Sequence, residues 1–184
     1  MNEASFSLFK PTPGSVAYAC ARLYSLNPTQ LVGLAADVYG VGTFDRRGRM
    51  ALIVWNEKLS VGVPSIDAQH CVLVKSLNEL HDAMLKGEGK NLTGPLLRNL
   101  LAYTRDHFSA EEAMMATANY PALAEHRIRH GDLTKKVEDY VARFESGEIT
   151  LNLHLLNFLR DWLTNHIQKE DRAYSPCMNA HGMR

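Results

Sequence analysis

His107-Phe108-Ser109-Ala110-Glu111-Glu112, followed after a short interval by His126-Arg127-Ile128-Arg129-His130, is the stretch on which the fold of this chain turns. His107 and Glu111 are four residues apart, as are His126 and His130. Residues four apart on an α-helix are separated by only about 40° and share one face. Asn119-Tyr120-Pro121 lies between the two pairs and stops a helix, so the pairs belong to two successive helices. Either pair alone is weak evidence of chemistry, because such spacings arise often by chance or on a solvated face.

Outward from this stretch, the apolar pattern defines the remaining helices. Ile66, Leu73, Leu77, Leu80 and Met84 recur at helical spacing and predict a first helix from Ile66 to Leu85, ended by Lys86-Gly87-Glu88-Gly89. Thr93 can cap the second helix, with Pro95 in its first turn and Leu97, Leu100, Leu101, Phe108 and Met115 along it. A third runs from about Pro121 to Phe144, where Glu145-Ser146-Gly147-Glu148 breaks the pattern. The fourth runs from about Thr150 through Leu155, Phe158, Leu159, Trp162 and Ile167 towards Tyr174, stops before Pro176, and leaves Cys177–Arg184 as a frayed tail. Four amphipathic helices with short connections make an all-α, up-down-up-down four-helix bundle.

The two outer helices add to the ligand types on the inner pair. His70 lies on the Ile66, Leu73, Leu77 face, and His166 follows Trp162 and Leu163 by four and three residues. Asp171 follows His166 by five, a step of roughly 140° on a regular helix, which would point the two side chains apart. A π-type turn, or a loosened last turn, near His166–Asp171 would align them. Five histidines and two carboxylates on faces the bundle buries would be costly in the core unless cations offset them. Imidazole and carboxylate without thiolate suit iron, manganese or zinc, whereas calcium and magnesium call for oxygen-rich shells. Seven donors exceed what one ion uses, so the pattern predicts a dinuclear site.

Other residues carry blander expectations. Cys71 points about 100° away from His70 and reads as packing. His81 lies on nearly the same face as His70 but roughly 16 Å along the helix, and reads as a helix-end or surface residue. His154 and His181 have no ligand partner at helical spacing.

Composition bounds the function. Lys plus Arg and Asp plus Glu each number 20, so there is no basic field to attract nucleic acid or anionic lipid. No stretch reaches the roughly 18 uninterrupted apolar residues needed to enter and cross a bilayer. Cys20, Cys71 and Cys177 are too few and too widely spaced for a disulfide framework, which predicts a cytoplasmic location. A hydrophobic content of 46% supports a sizeable core. Glycine and proline punctuate residues 1–49, and the Asp45-Arg46-Arg47-Gly48-Arg49 run places a boundary near residue 50. The expected organisation is therefore an N-terminal extension over 1–49, a helical unit over 50–176 and a tail over 177–184.

These motifs resemble the hemerythrin family, and in particular the bacteriohemerythrins, over about residues 50–175. The resemblance rests on Trp55, Ile66-Asp67-Ala68-Gln69-His70, the two central motifs, and Trp162-Leu163-Thr164-Asn165-His166-Ile167 with Asp171. It implies that His126, His130 and His166 bind one non-haem iron and His70 and His107 a second. Glu111 and Asp171 would bridge the two ions together with a solvent-derived hydroxo or oxo group, leaving the two-histidine iron open to dioxygen. Leu163 and Phe108 resemble the family's pocket-lining positions, and such a pocket should be dry and apolar. The implied role is oxygen storage, transport or delivery, with an oxygen-consuming enzyme as a partner. A di-iron enzyme handling peroxide or nitric oxide is the alternative, and iron storage or sensing a third. Residues 1–49 have no counterpart in the resemblance. They are either an over-extended start, with Met50 as the initiator, or a partner-binding or regulatory arm.

Overall fold

The computed structural model describes residues 51–183. Helix α1 spans Pro64–Leu85, α2 Lys90–Thr117, α3 Leu123–Ser146 and α4 Leu153–Asn165. A π-helical turn over His166–Asp171 joins α4 to α5, Arg172–Ala180, so that α4, the turn and α5 form one rod. Four rods joined by short loops make the four-helix bundle, and no strand occurs among the described residues. Expectations about residues 1–49 and Met50 lie outside the described residues.

Local chemistry explains most of the boundaries. Pro64 opens α1, where its missing N–H costs nothing. Asp67 accepts hydrogen bonds from the Val61 amide and the Ser60 hydroxyl, both at 2.7 Å, and ties the entering strap to the helix. Gly147, at φ 81°, ends α3 in the left-handed conformation, where the Glu148 amide returns to the Arg143 carbonyl at 3.0 Å. Asn152 caps α4 by accepting from the Leu155 amide at 3.0 Å.

Three expectations need correction. Helix α2 begins at Lys90, not at a Thr93 cap, so Pro95 lies inside it. The Thr93 hydroxyl bonds back to the Gly89 carbonyl, and Thr93, Gly94 and Leu97 are buried there, a gain that offsets the one amide Pro95 lacks. The last rod does not stop before Pro176 or fray after it. It continues to Ala180, with Met178 fully buried and the Cys177 thiol on the Ala118 carbonyl at 3.2 Å. Pro176 and Arg172 face solvent, so water can satisfy the carbonyl that the proline leaves free, while burial of Tyr174 and Met178 holds the helix on course. Finally, His81 lies in the last turns of α1, as a helix-end residue should, but it is buried and not at the surface, with its Nδ1 unpartnered.

The core runs the length of the bundle through Ile66, Leu77, Leu80, Leu97, Leu155, Leu156, Ile167 and Met178. Outside it, Arg98 pairs with Glu145 at 2.5 Å, Arg105 with Glu138, and Glu112 with Arg127 at 3.1 Å. Steps of seven along α2 meet positions in reverse order on α3, a ladder that matches the antiparallel register. No described helix is long and apolar enough to cross a membrane.

Candidate metal centre

All seven ligand-type residues are buried and converge near the end of the bundle where α1 and α3 begin and α2 ends. On α3 and the last rod, the Nε2 atoms of His126 and His130 are 3.0 Å apart, and those of His130 and His166 also 3.0 Å. Asp171 Oδ1 completes this group, 2.9 Å from His166 Nε2 and 3.3 Å from His126 Nε2. A second group combines His70, His107 and Glu111, with His107 Nε2 at 3.2 Å from Glu111 Oε2.

The two groups share their carboxylates. Asp171 turns Oδ1 to the three-histidine group and Oδ2 to His70 Nε2 at 3.2 Å. Glu111 turns Oε2 to His107 and Oε1 to His126 at 3.5 Å. The π turn makes this possible. The Arg172 amide bonds to the Ile167 carbonyl five residues back, which brings His166 and Asp171 onto one face as their spacing required.

The donors fit a cation. The four oxygens of Glu111 and Asp171 are buried and face the histidine Nε2 atoms, and His70 Nδ1 has no hydrogen-bond partner at all. Three Nε2 lone pairs aimed at one point repel unless a positive centre lies between them. Ligands about 2.1 Å from one ion and at right angles stand about 3.0 Å apart, the separation found here. The charges agree. Burial and the Asp171 charge push Glu111 up, but contact with His107 and His126 outweighs them and brings its pKa down to about 2. Burial likewise opposes ionisation of Asp171, yet His166, His126 and His70 hold it well below the usual carboxylate range. His126, despite burial, is raised to about 9 by Asp171 and Glu111. His130 is lowered to about 3 by burial and by its histidine neighbours.

Outer residues aim the ligands. His130 Nδ1–H donates to Glu112 Oε1 at 2.9 Å and His107 Nδ1–H to Gln69 Oε1 at 2.8 Å, which leaves both Nε2 lone pairs pointing inward. Phe108 stacks on the His130 ring at 3.6 Å and Trp162 on the His166 ring at 4.3 Å. Tyr174 is fully buried with its ring 5.9 Å from that of His126; burial and the Asp171 and Glu111 charges raise its pKa well above 10. Gln69, Glu112 and Tyr174 were given no role by sequence reasoning. Gln69 and Glu112 adjoin ligand-type residues in the chain, but their partners lie on other helices.

One turn from the ligands, towards the opposite end, lies a cavity of about 30 Å³ lined by Leu73, Thr104, Leu133, Trp162, Leu163 and other apolar residues. Leu163 lines it, whereas Phe108 covers His130 instead. The Thr104 hydroxyl donates to the Leu100 carbonyl at 2.8 Å, so it offers little to water.

Fold and site together define a metal-binding four-helix bundle. The hemerythrin HHE cation binding domain matches residues 61–178. A bacteriohemerythrin of Stenotrophomonas maltophilia is 37% identical over 132 residues, covering 72% of this chain and 85% of its own. One of Methylococcus capsulatus is 35% identical over 132 residues, covering 71% of this chain and 100% of its own. A crystal structure of wild-type hemerythrin superposes with a TM-score of 0.67 at 34% identity, covering 70% of this chain and 98% of that one. The chain belongs to the hemerythrin family.

Proposed function

We propose that this protein binds dioxygen reversibly at a pair of non-haem iron ions, for storage, transport or delivery, and is not an enzyme. The observation that carries the reading is the sharing of Glu111 and Asp171 between a three-histidine and a two-histidine group. His126, His130 and His166 would hold one ion, His70 and His107 the other, and the two carboxylates would bridge them. The group with one imidazole fewer would leave its ion a place for an incoming ligand. Iron, when bound, would supply the reversible electron donation on which oxygen binding depends.

The chain's own residues would protect that chemistry. Leu163 and Trp162, which line the apolar pocket beside the centre, would keep water from it, and Phe108 would hold the His130 ring in place. Leu163→Ala is expected to shorten the life of the oxygenated form several-fold by admitting water; an unchanged lifetime would remove Leu163 from this role. The names of the bacteriohemerythrin relatives support a binding role. The reading also includes a cytoplasmic location, where Cys71 and Cys177 stay reduced, and an oxygen-consuming enzyme as recipient.

The test is the visible absorption spectrum of anaerobically reduced, iron-loaded protein before air, after air and after deoxygenation. A charge-transfer band that appears with oxygen and vanishes on its removal is the expected result. Irreversible oxidation without that band would overturn the reading and favour turnover of peroxide or nitric oxide.

A further inference from the structure

The two ligand groups are backed differently. Behind His130 stands a carboxylate: Glu112 Oε1 takes the Nδ1 proton at 2.9 Å, and Arg127 Nε steadies Oε2 at 3.1 Å. Behind His107 stands a neutral amide, Gln69 Oε1, at 2.8 Å. An anionic acceptor makes the stronger hydrogen bond and pushes more electron density through the ring to the opposite nitrogen. His70 has less support still. Its Nε2 faces Asp171 Oδ2, and its Nδ1 is buried without a hydrogen bond, so turning the Nε2 lone pair inward leaves an Nδ1 proton with no acceptor.

Ligand number and rigidity run the same way. Three imidazoles and Asp171 make up one group, and two imidazoles and Glu111 the other. In the first, Phe108 and Trp162 stack flat on His130 and His166, with interplanar angles of 6° and 16°. In the second, His70 and His107 meet edge to face at 4.8 Å.

From this asymmetry we infer that the two cation sites fill in order, the three-histidine site first and tightly, the two-histidine site second and exchangeably. Gln69 and Glu112 are the positioning residues that set the gap. The inference rests on the dinuclear reading above and deepens it. One ion acts as a lasting part of the fold, while competence to bind a ligand is gained or lost with the other.

Zinc(II) tests this without redox chemistry and without oxygen. The full chain is loaded with two zinc ions, and release to excess chelator is followed with a metal-sensitive dye. Two phases are expected, one ion each. Gln69→Glu should slow the fast phase about 10-fold and leave the slow phase in place, while Glu112→Gln should speed the slow phase by a similar factor. Both substitutions are close to isosteric, and melting of the metal-free variants shows whether each still folds. Release of both ions in one phase, or equal shifts of both phases in either variant, would overturn the ordering. Uptake of fewer than two zinc ions would overturn the dinuclear reading and the ordering with it, whereas failure of the oxygen test alone would leave the ordering standing.

Discussion

The two halves of this bundle share one apolar core but differ in what else they bury. Away from the ligands, Leu77, Leu80, Leu97, Leu100, Phe144, Leu155 and Leu156 fill the space between the helices, and the ion pairs lie outside. At the other end, five histidines and two carboxylates share the interior with Ile66, Met115, Ile167, Tyr174 and Met178. The apolar half gains about 1.5–3 kcal/mol for each large side chain it buries. The polar cluster gains little by itself, because buried charges are favourable only when their partners are in place. One half can thus hold the fold, while the other is held in shape and made functional by what it binds.

The sharpest way to break this contrast is to remove Asp171, which serves both groups. Asp171→Ala should lower the affinity for both ions by 100-fold or more, read by titration with zinc, while helical circular dichroism stays near native. Loss of helix along with metal would show that the apolar half cannot stand alone. Leu156→Ala probes the other half. It should cost about 2–5 kcal/mol in chemical denaturation, and by the same amount with and without metal.

The pH response sharpens the comparison further. His126, held at about 9 in the folded chain, contributes stability that is full below 6.5 and is lost as pH rises through 9. His130, lowered to about 3, makes stability fall as pH drops from 6.5 towards 3, since the unfolded chain takes up a proton the folded one refuses. Glu111, at about 2, contributes stability above 4.5 that is lost as pH falls through 2. The metal-free protein should therefore melt highest near pH 6.5, and metal should abolish the alkaline decline by occupying His126. A flat melting profile between pH 6.5 and 9 without metal would contradict this. The smallest effect is expected outside both halves, where Arg105→Met removes a solvent-exposed pair with Glu138 and should change stability by about 0.2–1 kcal/mol.

Much of this was readable before any coordinates because it is periodic. The 3.6-residue repeat exposed the four rods, and the five-residue interval from His166 to Asp171 violated that repeat at one point and so announced the π turn. What could not be read depends on register between helices. Gln69 meets His107 across 38 residues and Glu112 meets His130 across 18, and neither interval means anything until the rods are aligned. Pro176 misled for a related reason. A local rule against proline in helices was outweighed by the burial of Tyr174 and Met178, which only the assembled bundle provides. The helical repeat puts His81 on the same face as His70, but its burial depends on neighbours from other helices.

The π turn also has a consequence for anyone who recombines this protein with a relative. The turn absorbs one extra residue, so everything after it keeps the helical phase of a regular helix one residue shorter. Deleting Gln168 would leave His166 and Asp171 four apart, so the turn could close as regular α-helix with Asp171 still facing His70 and with Tyr174 and Met178 still in the core. Chimeric crossovers in the last rod can therefore join this chain to a relative whose donors stand four apart, provided the whole interval from His166 to Asp171 comes from one parent.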